Sequence, residues 1–485
     1  MHPALIIIRK ENMRKKLFTI LTIVLGIMFM VSCGSDNPKT DPFTPVVNED
    51  VLGIMTRNYL WPLPAEPNLY QAAEPFFGSL LNAKDVYTDN GNKYTYSKIS
   101  AVSGQAGTVY DPGFEYAINN YRDDANPGKV ITYYVILYVK PRTVAADYLL
   151  RGLYITTVNG VAVTAANAPT LLYDAYKDGK AVDLMIRTPQ IEAERKITIT
   201  PYGNYVEAPL HTAKTLTAGT QKVGYILYNH FSSGTKTGDY SYDNALAAQL
   251  TKFLNTEKIT TLVFDVRYNS GGSVSAIQAL GSALVKNRDT SKAFIEQLFR
   301  ADLPNPNIPL KFLEKTGGNT AIPKLGDQLD KIYIITGQST AGASEALINA
   351  LKAYNKEIIL VGEQTKGRPV ATTTTQDATK QWNLRLALSY LADVNKTYNY
   401  ANGFIPKHII KEVQANADLN ENTTLLGELG TEKEIILSQI LNMIKGSQFD
   451  AAPGTRSVGI DKEVKTSLSR RPGSNETSVE LIDLN

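Results

Sequence analysis

The chain has 485 residues, 43% of them hydrophobic and 20% charged, a globular composition with length for about three ordinary domains. A net charge of +3, with no Lys/Arg stripe interleaved with aromatics, excludes nucleic acid as an expected partner. One cysteine, Cys33, and four scattered histidines, His2, His211, His230 and His408, exclude a disulfide framework and show no metal-ligand spacing, so no metal and no cofactor is expected.

Arg9, Lys10, Arg14, Lys15 and Lys16 precede an unbroken apolar run, residues 17–31, that ends at Ser32-Cys33-Gly34. This is the layout of a secretory signal, with a core shorter than the ~18–20 residues of a spanning helix, and Met13 is an alternative start to Met1. Cys33 at the expected cleavage point resembles the lipidated cysteine of a bacterial lipoprotein signal; a buried Cys in a single-span anchor is the alternative. Residues 1–33 are therefore expected to be a lipoprotein signal peptide. The mature chain is expected to be secreted and lipid-anchored at the cell envelope, on the periplasmic or surface face of a Gram-negative outer membrane. Polar, turn-forming residues 34–44 read as a tether, and residues 45–104 as a small helical module without assigned chemistry.

Residues 105–205 change to short strands, at 130–139, 153–158, 161–163, 182–186 and 196–199, with Asn159-Gly160 as a tight turn and 143–150 as a short helix. This β-rich module resembles a PDZ domain, with Gly113-Phe114 at the carboxylate-binding turn, Lys140-Pro141 through Gly152 as the helix and loop, and Val158-Asn159-Gly160 as the following hairpin. The resemblance implies capture of an extended C-terminal peptide by strand addition. Leu153 after Gly152 departs from the usual Gly-Asp, and a purely structural β module is the alternative.

Residues 206–445 alternate strands (223–228, 261–266, 331–336, 357–361, 384–390) with helix faces marked by Leu246, Leu250, Phe253 and Leu254, by Ile277, Leu280 and Leu284, and by 343–354. That is an α/β pattern with largely parallel pairing. Residues 446–485 lack apolar periodicity and read as a flexible tail. Two strand ends carry unusual turns. Tyr268-Asn269-Ser270-Gly271-Gly272-Ser273 contains paired glycines that permit a tight turn with outward N–H groups. Ser339-Thr340-Ala341-Gly342-Ala343-Ser344-Glu345 is a strand-to-helix junction, where unpaired helix N–H groups suit a nucleophile and oxyanion hole.

With Val361-Gly362-Glu363-Gln364-Thr365-Lys366-Gly367-Arg368-Pro369, and with supporting stretches at 222–231 and 402–406, these segments resemble the C-terminal processing (tail-specific) peptidases, serine peptidase family 41. The resemblance spans roughly residues 45–415 and is to Bacteroidetes-type lipoprotein members. It implies a ClpP/crotonase-like spiral core, a peptide or unfolded-protein ligand, and a Ser/Lys dyad whose positions here are Gly342 for the nucleophile and Arg368 for the base. Glycine has no side chain to attack with, and an arginine is not deprotonated at accessible pH. The implied oxyanion donors are backbone groups at Gly271 or Gly272 and at Ala343. Replacement groups would be Thr340, or Ser344 some ~200° round the helix from Gly342, with Lys366 as base. Asp265 and Arg267 read as an internal hydrogen-bond pair, and the histidines as structural or surface residues. Two functions follow: an envelope pseudopeptidase that binds extended or C-terminal peptides, or an active serine-type endopeptidase with displaced groups.

Overall fold

The computed structural model describes residues 44–89, 92–102, 107–122, 130–188, 193–304, 306–354, 357–413, 426–448, 465–470 and 479–480. Cys33, the expected signal peptide and nearly all of the expected tether lie outside them.

The apolar runs of the second half pair into one six-stranded sheet. Gln221–Tyr228, Thr261–Asp265, Lys331–Thr336, Ile358–Gly362 and His408–Ile409 lie side by side, all parallel, with Leu210–Ala218 antiparallel at the outer edge. Strands covered on both faces read as continuous apolar segments, and Thr261–Asp265 is buried at every position. Helices Ser241–Lys252, Val274–Leu284 and Ala343–Tyr354 cover one face, where Leu246, Ile277 and Leu347 pack with Phe264 and Ile332. Helix Ile435–Ile444 covers the other, with Ile436 and Ile440 against Val263 and Ile335. Parallel pairing brings three turns to one end of the sheet: 266–273, 337–342 and 363–369. That carboxyl end is where open α/β sheets place their sites.

A second sheet orders Asn307–Lys311, Ala293–Leu298, Trp382–Ala392 and Val370–Gln376, and Lys98–Ala101 pairs with Trp382–Ala392. The N-terminal helices Thr44–Asn58 and Ala73–Leu80 pack on it through Val51, Met55 and Phe76 against Val370, Leu384 and Leu386. The first part of the chain thus shares a core with the strand that follows the third turn.

Phe114–Arg122, Val130–Val139, Tyr154–Val158, Val182–Arg187 and Arg195–Ile199 form an antiparallel sheet. Asn159 and Gly160 both have positive φ, 49° and 79°, as a two-residue hairpin of matching twist requires. The helix expected over 143–150 is one 3₁₀ turn, Val144–Asp147. Lys465–Thr466 adds antiparallel to the outer edge of Phe114–Arg122, and Val479–Glu480 pairs with Ala371 and Thr372. These parts of the expected flexible tail are therefore paired strands, each too short to carry any hydrophobic period.

Arg151 joins the β module to the core. Its Nη1 donates to Leu137 O at 2.6 Å and to Tyr268 Oη at 2.7 Å, its Nε to Gly427 O at 2.8 Å, and its Nη2 lies 2.6 Å from Glu412 and 3.1 Å from Glu434. Arg267 shares both glutamates and also pairs with Asp265. Removing one member of such a buried set strands the others' charge in a poor solvent. Arg151→Ala is expected to lower the unfolding free energy in urea by about 3–5 kcal/mol; a loss under about 1 kcal/mol, the level of an exposed pair, would contradict this coupling.

Candidate functional site

The first turn is organised by Asn269. Its Nδ2 donates to Tyr228 O at 3.0 Å, its Oδ1 accepts Gly271 N at 2.9 Å, and its carbonyl accepts Ala341 N and Ser344 Oγ, each at 3.2 Å. Gly271 and Gly272 have φ of 128° and 130°. A Cβ on Gly272 would lie 2.0 Å from Phe231 O, so glycine is required there by close approach. A Cβ on Gly271 would stand 3.5 Å from Ala343 N and 3.8 Å from Gly342 Cα, which puts the first turn directly against the second.

In the second turn Gly342 is buried, at φ 56°, and its carbonyl accepts Ala346 N at 2.9 Å, which makes it the N-cap of helix Ala343–Tyr354. Glu345, three residues on, accepts Gly342 N at 3.0 Å, half of a capping box. The same carboxylate reaches the third turn, where it accepts Thr365 Oγ1, Gly367 N at 2.6 Å and Arg368 N at 2.8 Å. Gly342 N and Arg368 N therefore share one oxygen, Oε2. Burial pushes the Glu345 carboxyl above its ordinary range, while these bonds pull it back.

The expected replacement groups are engaged. Thr340 Oγ1 donates to Val266 O at 2.8 Å and accepts Gly337 N at 2.9 Å; Ser344 Oγ donates to Asn269 O. Both side chains are fully buried. Lys366 is half-buried, and its backbone N donates to Thr340 O at 2.9 Å. Arg368 is 3% exposed, its guanidinium carbon 4.3 Å from the Tyr87 ring centroid, a cation–π contact with the N-terminal part of the chain. Gly271 N is turned to Asn269 Oδ1, whereas Gly272 N and Ala343 N meet no acceptor among the described residues.

Gly113 and Phe114 stand at the start of the strand Phe114–Arg122 of the β module and belong to none of the three turns; Gly113, at φ 87°, donates its N–H to Asp111 at 2.8 Å. None of His211, His230 and His408 belongs to the three turns, and burial pulls each below the usual histidine value. Asp265 and Arg267 do pair, beneath the first turn. Sequence reasoning missed the clamps Glu345 and Asn269 and the contact of Tyr87 with Arg368. The glutamate three residues into a helix was a readable signal for the first; Tyr87 offered none.

Residues 222–410, which contain all three turns, match the model of peptidase family S41. The fold is similar to the crystal structure of an S41 protease from Bacteroides fragilis, with 25% identity and a TM-score of 0.65, over 85% of this chain and 99% of that one. Residues 222–410 are thus similar to peptidase family S41. A photosystem II D1 C-terminal processing protease aligns at 18% identity and a TM-score of 0.43, over 76% of this chain and 93% of that one. No curated protein sequence matches.

Glu345 ties the second turn to the third. Glu345→Ala leaves three buried N–H groups and a hydroxyl without their acceptor, at about 1–3 kcal/mol for each one that stays unsatisfied. A loss of about 3 kcal/mol or more is expected in chemical denaturation, and one under about 1 kcal/mol would contradict the clamp. Glu363, at the start of the third turn, accepts Gln338 Nε2 at 2.8 Å, and burial pushes its carboxyl up to about 7 from 4.5. A carboxyl raised on folding contributes stability that is full below 4.5 and lost as pH rises through about 7. Thermal melts should therefore show Glu363→Gln gaining on the wild type between pH 5 and pH 8; a constant difference would contradict the shift.

Proposed function

We propose that the protein is a cell-envelope S41 homologue that binds extended or C-terminal peptides and has lost peptide hydrolysis. In this reading the six-stranded α/β unit is a crotonase-like core, the β module is PDZ-like, and lipidation at Cys33 holds the chain on the outer membrane. The observation that carries it is the junction at Gly342: helix cap, glycine turn and Glu345 clamp are all built, and no side chain stands at the nucleophile position.

Acyl transfer at a Ser/Lys site needs a hydroxyl oxygen to attack and a neutral amine to take its proton. Gly342 supplies no oxygen. A guanidinium offers no neutral amine, and that of Arg368 lies against Tyr87. Attack by Thr340 or Ser344 would require breaking its bond to Val266 O or Asn269 O and turning the oxygen out of a buried site. Binding groups remain. Gly272 N and Ala343 N, the latter in the first turn of a 12-residue helix, suit a peptide carbonyl or carboxylate oxygen.

The test is incubation of the full chain with an unfolded protein substrate. The wild type should leave it intact, and Gly342→Ser with Arg368→Lys should cleave it at least 100-fold faster, with neither single change sufficient. Serine at φ 56° carries a strain of about 1–2 kcal/mol, so a slightly lower melting temperature is expected. Wild-type cleavage that Thr340→Val, Ser344→Ala or Lys366→Met abolishes would establish the displaced-dyad endopeptidase instead.

A further inference from the structure

Residues 204–209, which lead from the β module into the core sheet, carry a carboxylate inward. Glu207 is half-buried, and its carboxylate meets two fully buried side chains: it accepts Tyr138 Oη of the β module at 3.0 Å and Asn229 Nδ2 of the core at 2.7 Å. The Glu207 carbonyl lies 2.9 Å from His230 Nε2, and Asn229 N donates to Pro209 O at 2.9 Å. Asn229 and His230 follow the strand Gln221–Tyr228 and lead into Phe231, which bonds the first turn twice. Phe231 N donates to Gly271 O and Phe231 O accepts Ser273 N, each at 2.8 Å. A single carboxylate thus stands between the β module and the residue that places the glycine turn.

Three carboxylates share Lys140. It faces Glu207 together with Asp111 and Glu115, and its Nζ already lies 2.6 Å from Asp111 and 2.8 Å from Glu115. Tyr205, on the same segment as Glu207, has its ring 6.0 Å from Lys140 Nζ and feels Arg142, while His211 stands edge-on to Tyr138 at 5.1 Å. Burial, reinforced by Glu115 and Asp111 against the pull of Lys140, pushes the Glu207 carboxyl up to about 7 from 4.5. A neutral acid keeps Oε1 as the acceptor for Asn229 and Tyr138, so the bonded arrangement does not need the charge. We propose that Glu207 is a pH-sensitive latch on the first turn: neutral, it stays between Tyr138 and Asn229 and holds Phe231 against Gly271; ionised, it swings out to water and releases both contacts. A carboxyl raised on folding contributes stability that is full below 4.5 and lost as pH rises to about 7, after which the latch has no more to lose. Burial lowers His211 and His230, so their protonation loosens the fold toward acid, the opposite sense. The latch goes beyond the peptide-binding reading and does not rest on it.

The experiment is hydrogen exchange on the full chain between pH 5 and pH 8, read as protection factors so that the intrinsic pH dependence of exchange is divided out. The amides of Asn229, Phe231, Gly271 and Ser273 should lose protection at least tenfold from pH 5 to pH 7 and less than threefold more by pH 8, while those of Thr261–Asp265 change less than threefold throughout. Glu207→Gln, which keeps an uncharged acceptor, should stay at the pH 5 value across the range. Glu363→Gln and Asp243→Asn should follow the wild type, because burial raises those carboxyls too, to about 7 and about 6. Constant wild-type protection at these amides, or a loss that Glu207→Gln retains, would overturn the latch. Should Glu207→Gln not fold, the wild type decides alone: a loss shared equally by Thr261–Asp265, or one that runs on tenfold between pH 7 and pH 8, would overturn it. No peptide and no cleavage enters the readout, so failure here leaves the Gly342 reading standing, and an inactive Gly342→Ser/Arg368→Lys variant leaves the latch standing.

Discussion

One buried carboxylate holds the centre of this molecule in shape. Glu345 has no solvent exposure and accepts Gly342 N, Thr365 Oγ1, Gly367 N and Arg368 N, so two loops from different strand ends close on one side chain. A buried carboxylate is tolerated only when its lone pairs are filled, and four donors fill them. The clamp works entirely through backbone groups and one threonine, so it is indifferent to the side chains at 342 and 368. The clamp therefore fixes the backbone at both positions whatever side chains they carry.

Around that clamp, buried charge links the separate parts of the chain. Arg151 and Arg267, with Asp265, Glu412 and Glu434, run from the β module to helix Ile435–Ile444 beneath the first turn. Tyr268 stands in this network and heads the glycine turn, donating to Glu412 and accepting from Arg151. Leu468 belongs to the same buried apolar cluster as this tyrosine.

Much of the core was legible in the sequence because doubly covered parallel strands read as unbroken apolar runs and their helices as apolar faces. Lys331–Thr336 and helix Ala343–Tyr354 fall where those patterns put them. Val370–Gln376 was not legible, since its run of four threonines hides an alternation of half-buried and exposed positions. The paired residues 465–466 were not legible either, because what orders them is the Glu115 carboxylate and the pocket for Leu468, both supplied from far along the chain. At the site, the three turns were readable from motif and residue type. The engagement of Thr340 and Ser344 by backbone carbonyls, and of Arg368 by Tyr87, depends on tertiary packing that no local pattern encodes.

A turn that is complete apart from its nucleophile is a claim about geometry, and geometry tests it most directly. The measurement is a crystal structure of the full chain carrying Gly342→Ser and Arg368→Lys. If the clamp fixes both positions independently of their side chains, Glu345 keeps its bonds and the introduced hydroxyl and amine lie within about 2.6–3.2 Å of each other. A rebuilt turn, or a separation beyond about 5 Å with Glu345 bonded elsewhere, would contradict the retained site.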